Sequence, residues 1–156
     1  RQAPSWGNTQ CWEFIIVRDT EIIKLITETY PEKNPAQAGS LEVSALIMGC
    51  ANIRAAGYKK GNPVTKFHEW FMFDLGLAVQ NLCLKAHALG LGTVIVGYFD
   101  HDKCKKMLEV PEGFEVVVSI PVGRPADYAI TAPGRRELKE FVHIDNFREH
   151  FSFPEL

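Results

Sequence analysis

The sequence predicts an α+β domain, a β-sheet flanked by helices in an α/β sandwich. Three observations predict it. Short apolar runs at Trp12–Val17, Leu41–Cys50, Thr93–Val96 and Phe114–Val122 read as four strands, and helical patterns separate them. The stretch Trp70–Asp100 reads as one long helix, a glycine stop, a buried strand and a second turn. Hydrophobic residues make up 46% of 156 residues, enough for one real core and too many for a disordered chain.

Taken in order, Pro4 to Trp12 gathers Pro, Ser, Gly and Asn and reads as a loop. It is dense in short hydrogen-bonding groups from Ser5, Asn8, Thr9 and Gln10, and Trp6 and Trp12 pin it to the core. Trp12–Val17 follows as a strand. Asp19 caps a helix over about Thr20–Glu28 with Ile22, Ile23, Leu25 and Ile26 as its apolar face. Tyr30 to Ser40 holds two prolines and a glycine and reads as a loop. Leu41–Cys50 is apolar on both faces, as a central strand is. Ala51 to Thr65, with two glycines, a proline and Lys59-Lys60, reads as a surface excursion.

In the long helix, Leu75, Ala78, Val79, Leu82, Ala86 and Leu89 recur at helical spacing. Phe71, Met72, Leu77, Cys83 and Leu84 spread apolar character round the rest. Such a helix is buried on most sides, in a core or against another chain. Gly76 inside it costs about 1 kcal/mol relative to Ala, which implies a backbone passing close. Gly90 stops the helix. Thr93–Val96 is β-branched and reads as a buried strand, with Gly97–Asp100 as its exit turn. Asp100 or Asp102 caps a short helix over His101–Leu108. After Phe114–Val122, Ala126–Gly134 is extended, and Leu138–Ile144 alternates like a last strand. The tail carries Phe147, Phe151 and Phe153, apolar surface for a partner. One domain over residues 1–156 is expected, with no linker.

Composition excludes several classes of function. Seventeen Lys+Arg against 19 Asp+Glu give a net charge of −2, no footprint for nucleic acid. The Trp70–Leu89 run holds Asp74, Gln80, Asn81, Lys85 and His87, too polar to span a membrane. Cys11, Cys50, Cys83 and Cys104 lie 39, 33 and 21 positions apart, which fits neither a zinc site nor a redox pair. They read as free thiols, Cys50 and Cys83 buried, in a reducing, cytoplasmic setting. Arg1-Gln2-Ala3 reads as the end of a helix whose beginning is absent.

Catalytic side chains are scarce. Nucleophile-elbow, dinucleotide-fingerprint and P-loop patterns are absent. His87 reads as a satisfied core histidine. Capping explains Asp100 and Asp102 without a metal. Arg135-Arg136 follows Pro133-Gly134; such a pair can hold a phosphate, though alone it reads as a solvated pair. A polar Ser/Asn loop, an exposed strand exit at Gly97 and a double arginine offer binding groups without a nucleophile or base. That combination suits a cofactor that brings its own chemistry.

Three segments in fixed order carry a resemblance to a known family. A-P-S-W-G-N-T-Q-C-W-E-F-I-I-V, F-D-L-G-L-A-V-Q-N-L-C-L-K-A-H-A-L-G-L-G-T-V-I-V-G-Y-F-D, and V-P-E-G-F-E-V-V-V-S-I-P-V-G-R-P with G-R-R-E-L-K-E-F-V-H resemble the FMN-dependent nitroreductases, in their shorter-chain branch. The resemblance implies a central mixed β-sheet flanked by helices, with the long buried helix at a homodimer interface. It implies two FMN sites between subunits. Pro4, Ser5 and Asn8 match the loop touching flavin from one subunit. Ile95, Val96, Gly97 and Tyr98 match the strand exit under the ring in the other, with the N–H of Gly97 or Tyr98 toward the redox nitrogen. Arg135, and Arg136 beside it, match the phosphate-contacting arginines. Cys11 replaces the usual proline of N-x-Q-P-W, and the family's Arg/Ser-rich phosphate-gripping segment is absent from this sequence.

The resemblance implies an oxidoreductase that takes hydride from NADH or NADPH onto FMN. It then reduces a small-molecule acceptor, such as a nitroaromatic or quinone, by a ping-pong route. No catalytic side chain and no metal are expected. Three other readings stay open: a flavin-binding protein without turnover, a cofactor-free family remnant, and a relative with different flavin chemistry, such as dehalogenation or flavin fragmentation.

Overall fold

The computed structural model describes residues 1–126 and 132–149. It contains two compact units, Arg1–Pro125 and Ala126–Leu156. The first holds the sheet. Strands β1 (Trp12–Val17), β2 (Ala45–Asn52), β5 (Gly92–Thr93) and β6 (Phe114–Gly123) lie in the order β1-β2-β6-β5. A small hairpin, β3 (Tyr58–Lys59) with β4 (Asn62–Pro63), stands apart. The helices are α1 (Thr20–Thr27), α2 (Ala36–Leu41), α3 (Trp70–Ala88) and α4 (His101–Met107).

All described strand pairings are antiparallel, where a mixed sheet was expected. The connections through α1 and α2, and through α3 and α4, seat β2 between β1 and β6. The two pairs that run the same way, β1 with β6 and β2 with β5, are therefore never neighbours.

The sheet separates two apolar layers. Val17, Leu46, Met48, Cys50 and Val116 pack with Ile23, Ile26, Tyr30, Phe99 and Cys104 on one face. Leu75 and Val79 of α3 pack with Ala51 and Ile120 on the other. This is the α/β sandwich that the alternation of elements predicts. Asp19 caps α1, its Oδ1 accepting from Glu21 N at 2.9 Å and Ile22 N at 3.1 Å. Asp100 caps α4 through Lys103 N at 2.9 Å. Each cap satisfies N–H groups that the helix leaves unpaired.

Four local expectations fail. The segment read as a loop contains α2, so β2 begins at Ala45. Asn34 Oδ1 accepts from Ala36 N at 3.0 Å, and Pro35 suits a first turn because it has no N–H to lose. The Thr93–Val96 strand is reduced to Gly92–Thr93 and one bridge between Val96 and Ser119. Leu138–Ile144 is not a strand: Leu138–Glu140 forms a 3-10 turn in the second unit. His87 is exposed and Cys83 only half-buried, because α3 covers the sheet with one stripe alone.

Within one chain α3 buries only Asp74, Leu75, Val79 and Ala86. Met72, Phe73 and Leu84 stay 50%, 58% and 58% exposed. A Cβ at Gly76 would meet nothing within 4 Å among the described residues, so the expected close backbone is not seen among them. Of the aromatic tail, Phe147 is exposed and stacks on His143 at 4.4 Å, while Phe151 and Phe153 lie outside the described residues. So does most of the extended Ala126–Gly134 stretch.

Candidate functional site

The loop Pro4–Asn8 is built on a single 3-10 turn, Trp6–Asn8. Asn8 N donates to Ser5 O at 3.0 Å, and Gln10 N donates to Ser5 Oγ at 2.9 Å. The turn is fastened to α3. Both carboxylate oxygens of Asp74 accept from Trp6 N at 3.0 Å, and the Cys11 thiol donates to Asp74 Oδ2 at 3.8 Å. Asp74 is 1% exposed. Burial raises its pKa above the ordinary value, and the hydrogen bonds from Trp6 and Cys11 oppose the rise. Pro4 and Asn8 remain exposed, and the buried Thr9 Oγ1 has no hydrogen-bond partner among the described residues.

The second group of predicted site residues lies past the other end of α3. Val96 and Ser119 exchange backbone hydrogen bonds at 2.8 and 2.9 Å. Ser119 Oγ also meets the Tyr30 hydroxyl at 2.6 Å, which ties this bridge to the core. The ladder then stops. Gly97 N and Tyr98 N have no partner among the described residues, and the next backbone bond is Asp100 N to Thr29 O at 3.2 Å. Val94, Ile95 and Tyr98 are 51%, 50% and 75% exposed. A cleft of ≈ 370 Å³ runs between Val94–Tyr98 and Asn34–Ala36. No Asp, Glu, His, Lys or Arg lines it.

This arrangement fits a flat, partly polar ring. Exposed aliphatic groups give it a floor, free N–H groups give its polar edge two donors, and the missing side chain of Gly97 leaves room, since a Cβ there would meet nothing within 4 Å. Among the described residues the cleft's lining holds no carboxylate, imidazole, amine or guanidinium, and the Tyr98 phenol is its one ionisable side chain.

Among the described residues, the cleft beside the strand exit is lined by none of Pro4, Ser5 and Asn8. Asp74 lies in the second turn of α3, and the strand exit lies beyond its last residue, Ala88. At 1.5 Å per residue, Asp74 to Ala88 alone spans about 21 Å. Arg135 and Arg136 belong to the second unit. Arg135 Nη1 donates to the carbonyls of Pro133 at 2.9 Å and Gly134 at 3.3 Å. Arg136 pairs with Glu140 at 3.6 Å, donates to its carbonyl, and lies over the Phe141 ring.

The profile of the Nitroreductase family matches residues 1–124. The chain belongs to the nitroreductase family. A putative NADH dehydrogenase/NAD(P)H nitroreductase of Archaeoglobus fulgidus is 30% identical over 131 residues, covering 80% of this chain and 67% of that protein. A protein of the same description from Methanothermobacter thermautotrophicus is 27% identical over 150 residues, covering 92% and 70%. Among solved structures, a nitroreductase family protein from Clostridium novyi NT is 25% identical with a TM-score of 0.71, covering 96% of this chain and 78% of that one. An oxidoreductase containing FMN is 25% identical with a TM-score of 0.74, covering 95% and 77%. A nitroreductase-type α+β fold and a general oxidoreductase character follow.

Sequence reasoning missed Asp74 and Asn34–Ala36. Asp74 was legible as a carboxylate on an otherwise apolar helix face. The Asn34–Ala36 wall carried no signal beyond the proline that marked it as loop.

Proposed function

We propose that this nitroreductase is an FMN-dependent oxidoreductase that works as a homodimer. It takes hydride from NADH or NADPH and passes reducing equivalents to a nitroaromatic, quinone or similar acceptor. The observation that carries the reading is the broken ladder at Gly97 and Tyr98, two N–H donors without a partner among the described residues, beside a largely apolar cleft whose described lining has the Tyr98 phenol as its one ionisable side chain.

FMN, when bound, supplies the hydride acceptance and donation. The chain's own residues bind and orient. The Gly97 and Tyr98 N–H groups donate to the polar edge of the ring and favour negative charge there. Ile95 and Val96 support the ring. Pro4, Ser5 and Asn8 contact it from the second subunit, and Arg135 and Arg136 neutralise the phosphate. The twofold arrangement is supported by the apolar side chains of α3 that one chain leaves exposed, Met72, Phe73 and Leu84. Two copies packed through them would bring the Pro4–Asn8 loop of one chain to the strand exit of the other.

Titration of the purified protein with FMN, followed by anaerobic addition of NADPH or NADH and then acceptor, tests this. The flavin absorbance should bleach with donor and return with acceptor. Initial rates should give parallel double-reciprocal lines, because donor and acceptor use the same cleft in turn. A protein that takes up no FMN overturns the reading, and intersecting lines overturn the shared cleft.

A further inference from the structure

The segment between β2 and α3 concentrates positive charge in a chain of net charge −2. From Ile53 to Glu69 it contains Arg54, Lys59, Lys60 and Lys66 and one carboxylate, Glu69. All four cations are exposed. Among the described residues none of them pairs with a carboxylate.

Two features set this apart from an ordinary solvated face. Phe67 is 65% exposed, and Lys66 Nζ lies 5.4 Å from its ring centroid. An exposed ring beside a cation offers a stacking surface for a base next to a partner for phosphate. The second feature is the tip of the β3–β4 hairpin. Its two turn residues, Lys60 and Gly61, have φ of 52° and 78°. A turn with both φ positive favours Asn-Gly, and a lysine at the first position is strained. The chain keeps a lysine at its most protruding point in a backbone that disfavours it.

The segment is also fastened to the same end of α3 as the Pro4–Asn8 loop. Trp70, the first residue of α3, packs on Gly57, and its Nε1 donates to Thr65 Oγ1 at 2.7 Å. Val64 N closes the base of the hairpin on Gly57 O at 2.9 Å. The Pro4–Asn8 loop is fastened to the next turn of the same helix through Asp74.

We propose that this excursion receives the phosphorylated adenosine end of the electron donor and that its cations recognise a 2′-phosphate, making NADPH the preferred donor; this rests on the oxidoreductase reading above. The 2′-phosphate is the one group that separates the two donors. It adds nearly two negative charges, which a cluster of lysines meets as point charges.

Calorimetric titration of the full protein with 2′,5′-ADP and with 5′-AMP decides it. The 2′-phosphorylated nucleotide should bind at least about tenfold more tightly, and the difference should shrink at least about threefold as salt rises from about 0.05 to about 0.5 M. Lys59→Gln with Lys60→Gln should bring the two affinities within about twofold of each other, and Lys59→Arg with Lys60→Arg should keep them apart. In donor kinetics, the Gln pair should lower the NADPH-to-NADH ratio of kcat/KM at least about fivefold. Equal affinities in the unaltered protein, or a preference untouched in the Gln pair, overturn the proposal. If neither donor bleaches bound flavin, the oxidoreductase reading fails, while the nucleotide titration still decides the site.

Discussion

Asp74 holds the main-chain N–H of Trp6 between its two carboxylate oxygens, each 3.0 Å away. One helical carboxylate thereby sets the position of the loop that carries Pro4, Ser5 and Asn8. The arrangement has a pH signature. Burial raises the folded pKa of Asp74 above its ordinary value of 3.8. As pH rises, the unfolded chain ionises first, so this residue's contribution to stability is complete below 3.8 and is lost as pH passes through the higher folded value. Asp74→Asn keeps an acceptor for Trp6 and removes the titration. The melting temperature of the variant relative to the unaltered protein should therefore rise between about pH 4 and about pH 7. A constant difference across that range would show that Asp74 does not titrate there.

Asp74→Ala goes further, since it leaves Trp6 N without its acceptor and opens a buried gap. The expected loss is about 1–3 kcal/mol, read from denaturant unfolding. FMN affinity should fall more than stability alone explains, because the loop is released while Pro4, Ser5 and Asn8 remain. Unchanged FMN affinity in the variant would separate the latch from the site.

The thiols make a second pH prediction. Burial, with Asp74 adding to it, pushes Cys11 up to about 11; burial, with Glu13 adding to it, does the same for Cys50. At pH of about 8 only about one such thiol in a thousand is ionised. Iodoacetamide should alkylate both at least about 100-fold more slowly than free cysteine, with rates climbing about tenfold per pH unit. Peptide mass spectrometry of the native protein checks this. Fast labelling at either position would mean that its burial is transient.

Gly57 sits where the excursion meets α3. Its φ is +82°, and a Cβ there would lie 2.6 Å from Trp70 Cδ1. Gly57→Ala faces both a strained backbone and a ring with no room to give. A loss of at least about 2 kcal/mol is expected in denaturant unfolding. A variant as stable as the parent would show that Trp70 repacks freely.

How much of this was legible beforehand depends on what decides each element. β1, α1, α3 and α4 follow from periodicity and from caps such as Asp19 and Asp100, all local signals. α2 was hidden because Pro35 and Gly39 mark a loop until Asn34 and Ser40 are seen to bond the helix backbone. The Val94–Ile95 break in the ladder has no local cause in a β-branched run, and the register is the same on both sides of it, Thr93 opposite Val122 and Val96 opposite Ser119. Where the Pro4–Asn8 loop is fastened was invisible, since sequence order says nothing of which turn of a helix a loop meets. Asp74 was missed because its function lies in a contact with Trp6, 68 residues away.

Assembly is the sharpest test of the proposed site. Phe73, Gly76 and Leu84 share one face of α3, at i, i+3 and i+11, with Met72 beside them, and its large side chains are at least half exposed in the single chain. Leu84→Glu places a charge on this face at a position that is 58% exposed, so the fold of one chain should change stability by no more than about 0.5 kcal/mol. Between two copies the same charge would be buried without a partner and should drive the dimer apart. The variant keeps Pro4, Ser5, Asn8, Gly97, Tyr98 and both arginines. If the site is shared between subunits, monomeric Leu84→Glu, identified by sedimentation, should lose at least about 100-fold in FMN affinity, roughly 2.7 kcal/mol. Unaltered circular dichroism would show that the loss is not one of folding. A monomer that binds FMN as tightly as the parent would place the whole site in one chain, and the roles assigned to the Pro4–Asn8 loop and the strand exit would have to be reassigned.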